Sequence, residues 1–95
     1  MDIEKQIKEA PLLLIDFYAQ WCGPCIGMMP TLEQLKEDLG DSLQILKVDI
    51  DQYPTTVTDY SVMGVPTFVL YRDGQKVWQK PGTFSLQQLK EMIGA

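Results

Sequence analysis

Cys22 and Cys25 are the only cysteines in the chain, and Gly23 and Pro24 stand between them. On the first turn of a helix that spacing sets the two Cβ atoms about 5–6 Å apart. A small rotation then brings the sulfurs to bonding geometry. Such a pair passes between dithiol and disulfide, and its thiolate attacks disulfides of other molecules. A purely structural bridge gains little here, because closing so short a ring removes little chain entropy. A zinc site is excluded as a one-chain device: the sequence has no His and only two Cys, short of the four ligands zinc takes. Reversible thiol–disulfide chemistry is the reading these two residues support.

The elements that must position the pair lie on either side of it. Leu12 to Tyr18 has the length and composition of a buried strand, and Ile26 to Leu39 carries apolar residues at helical spacing. The cysteines then fall at a strand-to-helix turn, where backbone N–H groups lack intrahelical partners and carry partial positive charge. A thiolate there is stabilised relative to its thiol. Cys25 heads the apolar stripe of Met28, Met29, Leu32, Leu35 and Leu39, whereas Cys22 lies outside it beside Trp21. Cys22 is therefore the expected nucleophile, reachable at the mouth of the turn, and Cys25 the shielded resolving thiol. The helix expected from about Gly23 to Leu39 contains Pro30, which removes a backbone hydrogen bond and predicts a kink.

Two further residues belong to this chemistry. Asp16 interrupts the first strand; a carboxyl buried there loses hydration and holds its proton more tightly, which suits a general base near neutral pH. A strand-end aspartate turned toward water fits the same residues equally well. Lys47 sits among the aliphatics of a second strand, Leu43 to Ile50. It is read as an ion-pair partner that tunes Asp16, against the alternative of a snorkelling surface lysine. The strand–helix–strand unit predicts a right-handed, parallel pair.

The remaining elements are scaffold. Asp2 caps a short helix with Ile3, Ile7 and Ala10 on one face, ending before Pro11. Asp51 to Tyr60 reads as a short helix with Pro54 in its first turn. Pro66 must stand at the start of the strand that continues through Phe68 to Tyr71. Asp73-Gly74 predicts a type I′ hairpin, and Lys76 to Lys80 returns as a lysine-guarded edge strand. Ser85 and Gln88 form a capping box for a last helix that turns Leu86, Leu89, Met92 and Ile93 inward.

Asp16 through Cys25, with Trp21-Cys22-Gly23-Pro24-Cys25 at its end, resembles the active-site segment of the thioredoxin family. Pro30, Lys47, Asp51, Gly64-Val65-Pro66-Thr67 and Gly82 match the family's pattern in the same order, over about Leu12 to Ile93. The resemblance implies a single thioredoxin-like domain over residues 1–95. Its fold is α/β, a three-layer sandwich with a four-stranded mixed sheet and helices on both faces. The family's peripheral first strand is expected to be missing, since about eleven residues precede Leu12. That leaves the edge near Ile45 to Asp49 unpaired, where lower stability or dimerisation could follow; a monomer is the expectation. By resemblance, Asp16 is the buried base that assists Cys25 through a water, and Pro66 is a cis proline packed on the cysteines. Val65 offers its backbone to a bound peptide as an added strand, and Trp21, Val65, Pro66 and Gly82 make a flat apolar rim. Two departures stand out. Tyr18 replaces a frequent Trp, and Ile26 replaces a usual Lys or Arg, making the rim more apolar.

The implied activity is that of a thiol–disulfide oxidoreductase, an electron carrier that reduces disulfides of client proteins. No bound cofactor is expected beyond the redox-active Cys22–Cys25 disulfide. The chain lacks the Gly-rich fingerprint of dinucleotide binding, so a separate thioredoxin reductase, dependent on NADPH or ferredoxin, is the implied second partner. A net charge of −5 argues against nucleic acid and anionic membranes as partners. The longest apolar run, Leu12 to Ile15, is too short to span a bilayer. Met1 to Lys5 has alternating charge without a signal peptide's apolar core. A cytoplasmic protein is expected, a setting in which paired cysteines are catalytic more often than structural. Three other readings share the motif. An oxidase or isomerase of the same fold usually has His where Pro24 stands. A glutaredoxin typically has Cys-Pro-Tyr-Cys. A binding module would use the rim with the dithiol incidental.

Overall fold

The structure is a computed structural model and describes residues 2–95. Alternation along the first strand, β1 (Leu12–Tyr18), sets the architecture. Leu13, Ile15 and Phe17 turn to one face, where they pack with Val48, Val69 and Ile3. Leu14 turns to the other, against Leu32, Leu35, Phe68, Leu70, Leu89 and Ile93. A strand buried on both sides needs helices on both sides. Helix α1 (Ile3–Glu9) covers the first face, and α3 (Met29–Leu39) with α5 (Leu86–Ile93) covers the second. The sheet has four strands in the order β2-β1-β3-β4. β2 (Gln44–Asp49) runs parallel to β1; β3 (Thr67–Arg72) and β4 (Gln75–Pro81) complete the sheet as antiparallel neighbours. This is the expected mixed sheet, and β2 is an edge, as the expected loss of a peripheral strand requires. Lys47 is exposed in the middle of that edge, a charge that disfavours pairing with another chain.

The helix after the cysteines departs from expectation. It is two helices, α2 (Gly23–Gly27) and α3, joined at Met28. Pro30 lies in the first turn of α3 and has no N–H for the Ile26 carbonyl, which its ring also crowds. The Met28 N–H is shared between the Pro24 and Cys25 carbonyls, 3.1 and 3.2 Å away, and the Leu32 N–H restarts the ladder on Met28 at 3.0 Å. The predicted kink takes the form of a one-residue interruption at Met28, whose backbone stays in the right-handed helical region at φ −79° and ψ −15°. The helix expected over Asp51 to Tyr60 is also shorter, α4 (Pro54–Asp59). The Asp49 carboxylate accepts the Asp51 N–H at 2.9 Å, which holds the preceding residues in a turn.

Local signals elsewhere are met. Asp2 accepts the Lys5 N–H at 2.9 Å. Asp73 and Gly74 both have positive φ, as a type I′ turn demands. The capping box closes in both directions, Gln88 N–H to Ser85 Oγ at 3.1 Å and Ser85 N–H to Gln88 Oε1 at 2.8 Å.

Candidate active site

The site forms at the carboxyl ends of β1 and β2, the usual position of a ligand crevice in an open α/β sheet. Cys22 is the N-cap of α2 and Cys25 lies in its first turn, with Pro24 at a position where a missing N–H costs nothing. The two cysteines are joined as a disulfide, with their Cα atoms 5.2 Å apart. The Cys25 N–H points at Cys22 Sγ, 3.2 Å away. That backbone donor is the local source of thiolate stabilisation expected of a helix start.

The two sulfurs differ less in burial than expected. Cys22 is 5% exposed and Cys25 4%, so Cys22 does not stand open at the mouth in the disulfide state. The asymmetry lies in what each one faces. Cys22 Sγ is 3.8 Å from the Val65 carbonyl oxygen, toward the rim. Cys25 faces inward, onto a cavity that it lines together with Asp16 and Lys47.

Asp16 reaches that cavity by strand alternation: it is two residues beyond Leu14 and therefore on the α3 side of the sheet. It is 3% exposed, and its Oδ1 has no hydrogen-bond partner in the protein. Loss of hydration is the larger influence and raises its pKa to about 6; the positive charge of Lys47 opposes it and is the smaller. Lys47 is the register partner of Asp16 on β2. Yet the expected ion pair is not made. Among the described residues the one salt bridge is Lys90 to Asp38, and Lys47 acts on Asp16 through space from the sheet edge.

Val65 stands beside Cys22, and Pro66 beside Gly82. The Val65–Pro66 bond is cis. Thr67 Oγ1 donates to the Gly64 carbonyl at 2.6 Å, fixing the turn in front of it. Gly82, at φ +107°, donates its N–H to the Pro66 carbonyl at 2.9 Å. Only glycine holds that backbone conformation without strain, so Gly82 closes the rim beside Pro66. Trp21 remains 69% exposed and donates Nε1–H to Asp51 Oδ2 at 2.8 Å. Gln20 donates to Asp49 Oδ2 at 3.1 Å. Sequence reasoning missed these two ties between the cysteine turn and the end of β2. Two aspartates closing a parallel strand beside the motif were the available signal.

The thioredoxin family's sequence profile matches residues 2–95. The chain belongs to the thioredoxin family. It is 40% identical over 85 residues to a thioredoxin of Staphylococcus aureus, covering 90% of this chain and 82% of that one. It is 42% identical over 82 residues to chloroplastic thioredoxin Y2 of Arabidopsis thaliana, 85% of this chain but 48% of that longer protein. Mitochondrial thioredoxin 3 of Saccharomyces cerevisiae, in its oxidised form, superposes with a TM-score of 0.87 at 37% identity, over 96% of this chain and 84% of the other. Fasciola hepatica thioredoxin gives 0.86 at 37% identity, over 97% and 88%. As a thioredoxin-family member with its Cys22–Cys25 pair in place, the chain is a thiol–disulfide oxidoreductase. Among the described residues no helix is long and apolar enough to cross a membrane.

Proposed function

We propose that this protein is a cytoplasmic disulfide reductase that carries electrons from a separate reductase to client proteins. The observation that carries the reading is the pairing of a Cys22–Cys25 disulfide with a buried carboxyl, free of partners, that shares a cavity with the second cysteine. In the reduced protein, Cys22 thiolate attacks one sulfur of a client disulfide, and the other client sulfur leaves as a thiolate. The product is a mixed disulfide between Cys22 and the client. Asp16 then accepts the Cys25 proton through the shared cavity. The Cys25 thiolate attacks Cys22 Sγ, and the second client sulfur leaves and takes up a proton. Two electrons have passed to the client, and the protein is left as the disulfide. The reductase, drawing on NADPH or ferredoxin, returns it to the dithiol.

Each neighbour has a task in this scheme. A base with a pKa of about 6 is mostly ionised at neutral pH and still accepts a proton without a large penalty. Lys47 keeps that value from rising further. Val65 presents its backbone to an extended client segment, and Trp21, Pro66 and Gly82 supply the flat surface around it, giving affinity with little side-chain selection. Reduction of insulin disulfides with NADPH and a thioredoxin reductase is the test. Cys22→Ser is expected to abolish turnover; activity that survives the substitution would refute the reading.

A further inference from the structure

The turn that delivers Cys22 is tied at both of its corner residues to one short segment. Its backbone bond runs from the Cys22 N–H to the Ala19 carbonyl at 3.2 Å, so Gln20 and Trp21 are the two central residues. Gln20 donates Nε2–H to Asp49 Oδ2 at 3.1 Å, and Trp21 donates Nε1–H to Asp51 Oδ2 at 2.8 Å. The two anchors are themselves joined, because Asp49 Oδ1 accepts the Asp51 N–H at 2.9 Å. Asp49 is buried, at 4% exposure, and both of its carboxylate oxygens are answered by N–H donors, unlike Asp16 Oδ1. Trp21 is the opposite case. It lies largely in water, where packing does little to fix a ring, so its one polar bond decides where the indole stands.

We propose that Asp49 is a positioning residue for the first attack: its carboxylate latches the turn of residues 19–22 onto the end of β2 and sets the Trp21 ring before a client arrives. One oxygen holds Gln20, and through it the turn that carries Cys22. The other fixes the backbone of Asp51, the residue that receives the indole N–H. The latch rests on the reading of Cys22 as the attacking sulfur, and it is separate from Asp16, which serves Cys25. Without it the turn and the ring have to be ordered at each binding event, and that ordering weighs on client capture. Release of the product, which depends on Cys25 and its base, is left as it was.

The test opens the latch and then rebuilds it with donor and acceptor exchanged. Asp49→Ala removes both arms. Gln20 is exposed, so Gln20→Glu opens the turn arm without touching the core, by setting carboxylate against carboxylate. Adding Asp49→Asn to it restores the bond: the new amide donates to the new carboxylate, and its oxygen still receives the Asp51 N–H. The readouts are the Trp21 Nε1–H resonance of the oxidised protein, by NMR, and KM and kcat for insulin with NADPH and a thioredoxin reductase. In Asp49→Ala and in Gln20→Glu the resonance is expected to move toward that of a free indole. KM should rise about threefold or more, the scale set by one or two hydrogen bonds, with a smaller change in kcat. The double variant should return both readouts toward wild type. Should Asp49→Ala fail to fold, the Gln20 pair decides alone. The proposal is overturned by a wild-type resonance and KM in the single variants, by a loss confined to kcat, or by a double variant no better than Gln20→Glu. An inactive wild type would count against the reductase reading instead and would leave the resonance comparison standing.

Discussion

Replacing Asp16 by Asn keeps the shape of the side chain and removes its titration, which makes the energetic cost of this carboxyl measurable. Folded, Asp16 has a pKa of about 6; the ordinary value is 3.8. The shift of about two units, at 1.36 kcal/mol per unit, is worth about 3 kcal/mol. The sign follows from proton counting. Between the two values the native state holds a proton that the unfolded chain has lost, so stability falls as pH rises through that window. Below it both states are protonated and Asp16 adds no pH dependence. Above it the whole cost is present, because the side chain is 3% exposed and solvent screens little of it. A domain of this class has a total stability of about 5–15 kcal/mol, so the cost is a large share.

The assay is urea unfolding of both oxidised proteins at pH 4 and pH 8, with the difference between their free energies as the readout. Every other carboxylate is common to the two proteins and cancels. The Asn variant is expected to gain about 2–3 kcal/mol on the wild type between those pH values. The absolute gap at either pH also contains the cost of burying an amide, so only the change with pH bears on the pKa. A gap that stays flat within about 0.5 kcal/mol, below the scale set by a one-unit shift, would refute the reasoning: Asp16 would then be hydrated or paired.

Cys25→Ser leaves Cys22 able to attack but removes the sulfur that resolves the product, so a covalent client complex is expected to accumulate on non-reducing gels. If no complex can be trapped, the two roles are assigned wrongly. Gly82→Ala meets no neighbouring atom, since nothing lies within 4 Å of the added Cβ, but it forces an alanine to φ +107°. A loss of about 1–3 kcal/mol is expected from backbone strain, with a several-fold rise in the KM for insulin from a displaced rim; unchanged values of both would detach Gly82 from the site. Ser85→Ala removes the acceptor of the Gln88 N–H and should cost about 1 kcal/mol. In a domain this small that lowers Tm by about 4–8 °C, readable by thermal unfolding, while turnover stays as it was.

What the sequence made legible is whatever depends on local order. The turn at Asp73-Gly74, the capping box at Ser85 and Gln88, and the strand–turn–helix around Cys22 and Cys25 each follow from a few adjacent residues. The interruption at Met28 was half legible: Pro30 announces a lost hydrogen bond, but whether the ladder bends or parts depends on the packing of Met28 and Leu32 against the sheet. The relation of Asp16 to Lys47 was not legible in distance. Strand register sets the two residues side by side, and the reach of a lysine from a sheet edge then decides between contact and action across a gap. Equal burial of the two sulfurs was hidden for a related reason. Val65 comes from about forty residues away in sequence, and no pattern around Cys22 records that its carbonyl stands 3.8 Å from the sulfur.

The same distinction explains why Asp16 could be read in two ways from its own strand and in only one from the structure. Its position in the alternation of β1 names the face it turns to. It does not say whether a partner waits there. On that face the fold supplies Leu14 and the register partner Phe68 and no donor for Oδ1. A core that answered only to stability would place a leucine at this point, because an unpaired carboxyl in an apolar setting is among the costlier things a domain can bury. The cavity beside it is lined by Cys25 and not by Cys22. Cost and location together are the argument that this carboxyl belongs to the chemistry of the second sulfur, and the pH-dependent gap described above measures the first of them directly.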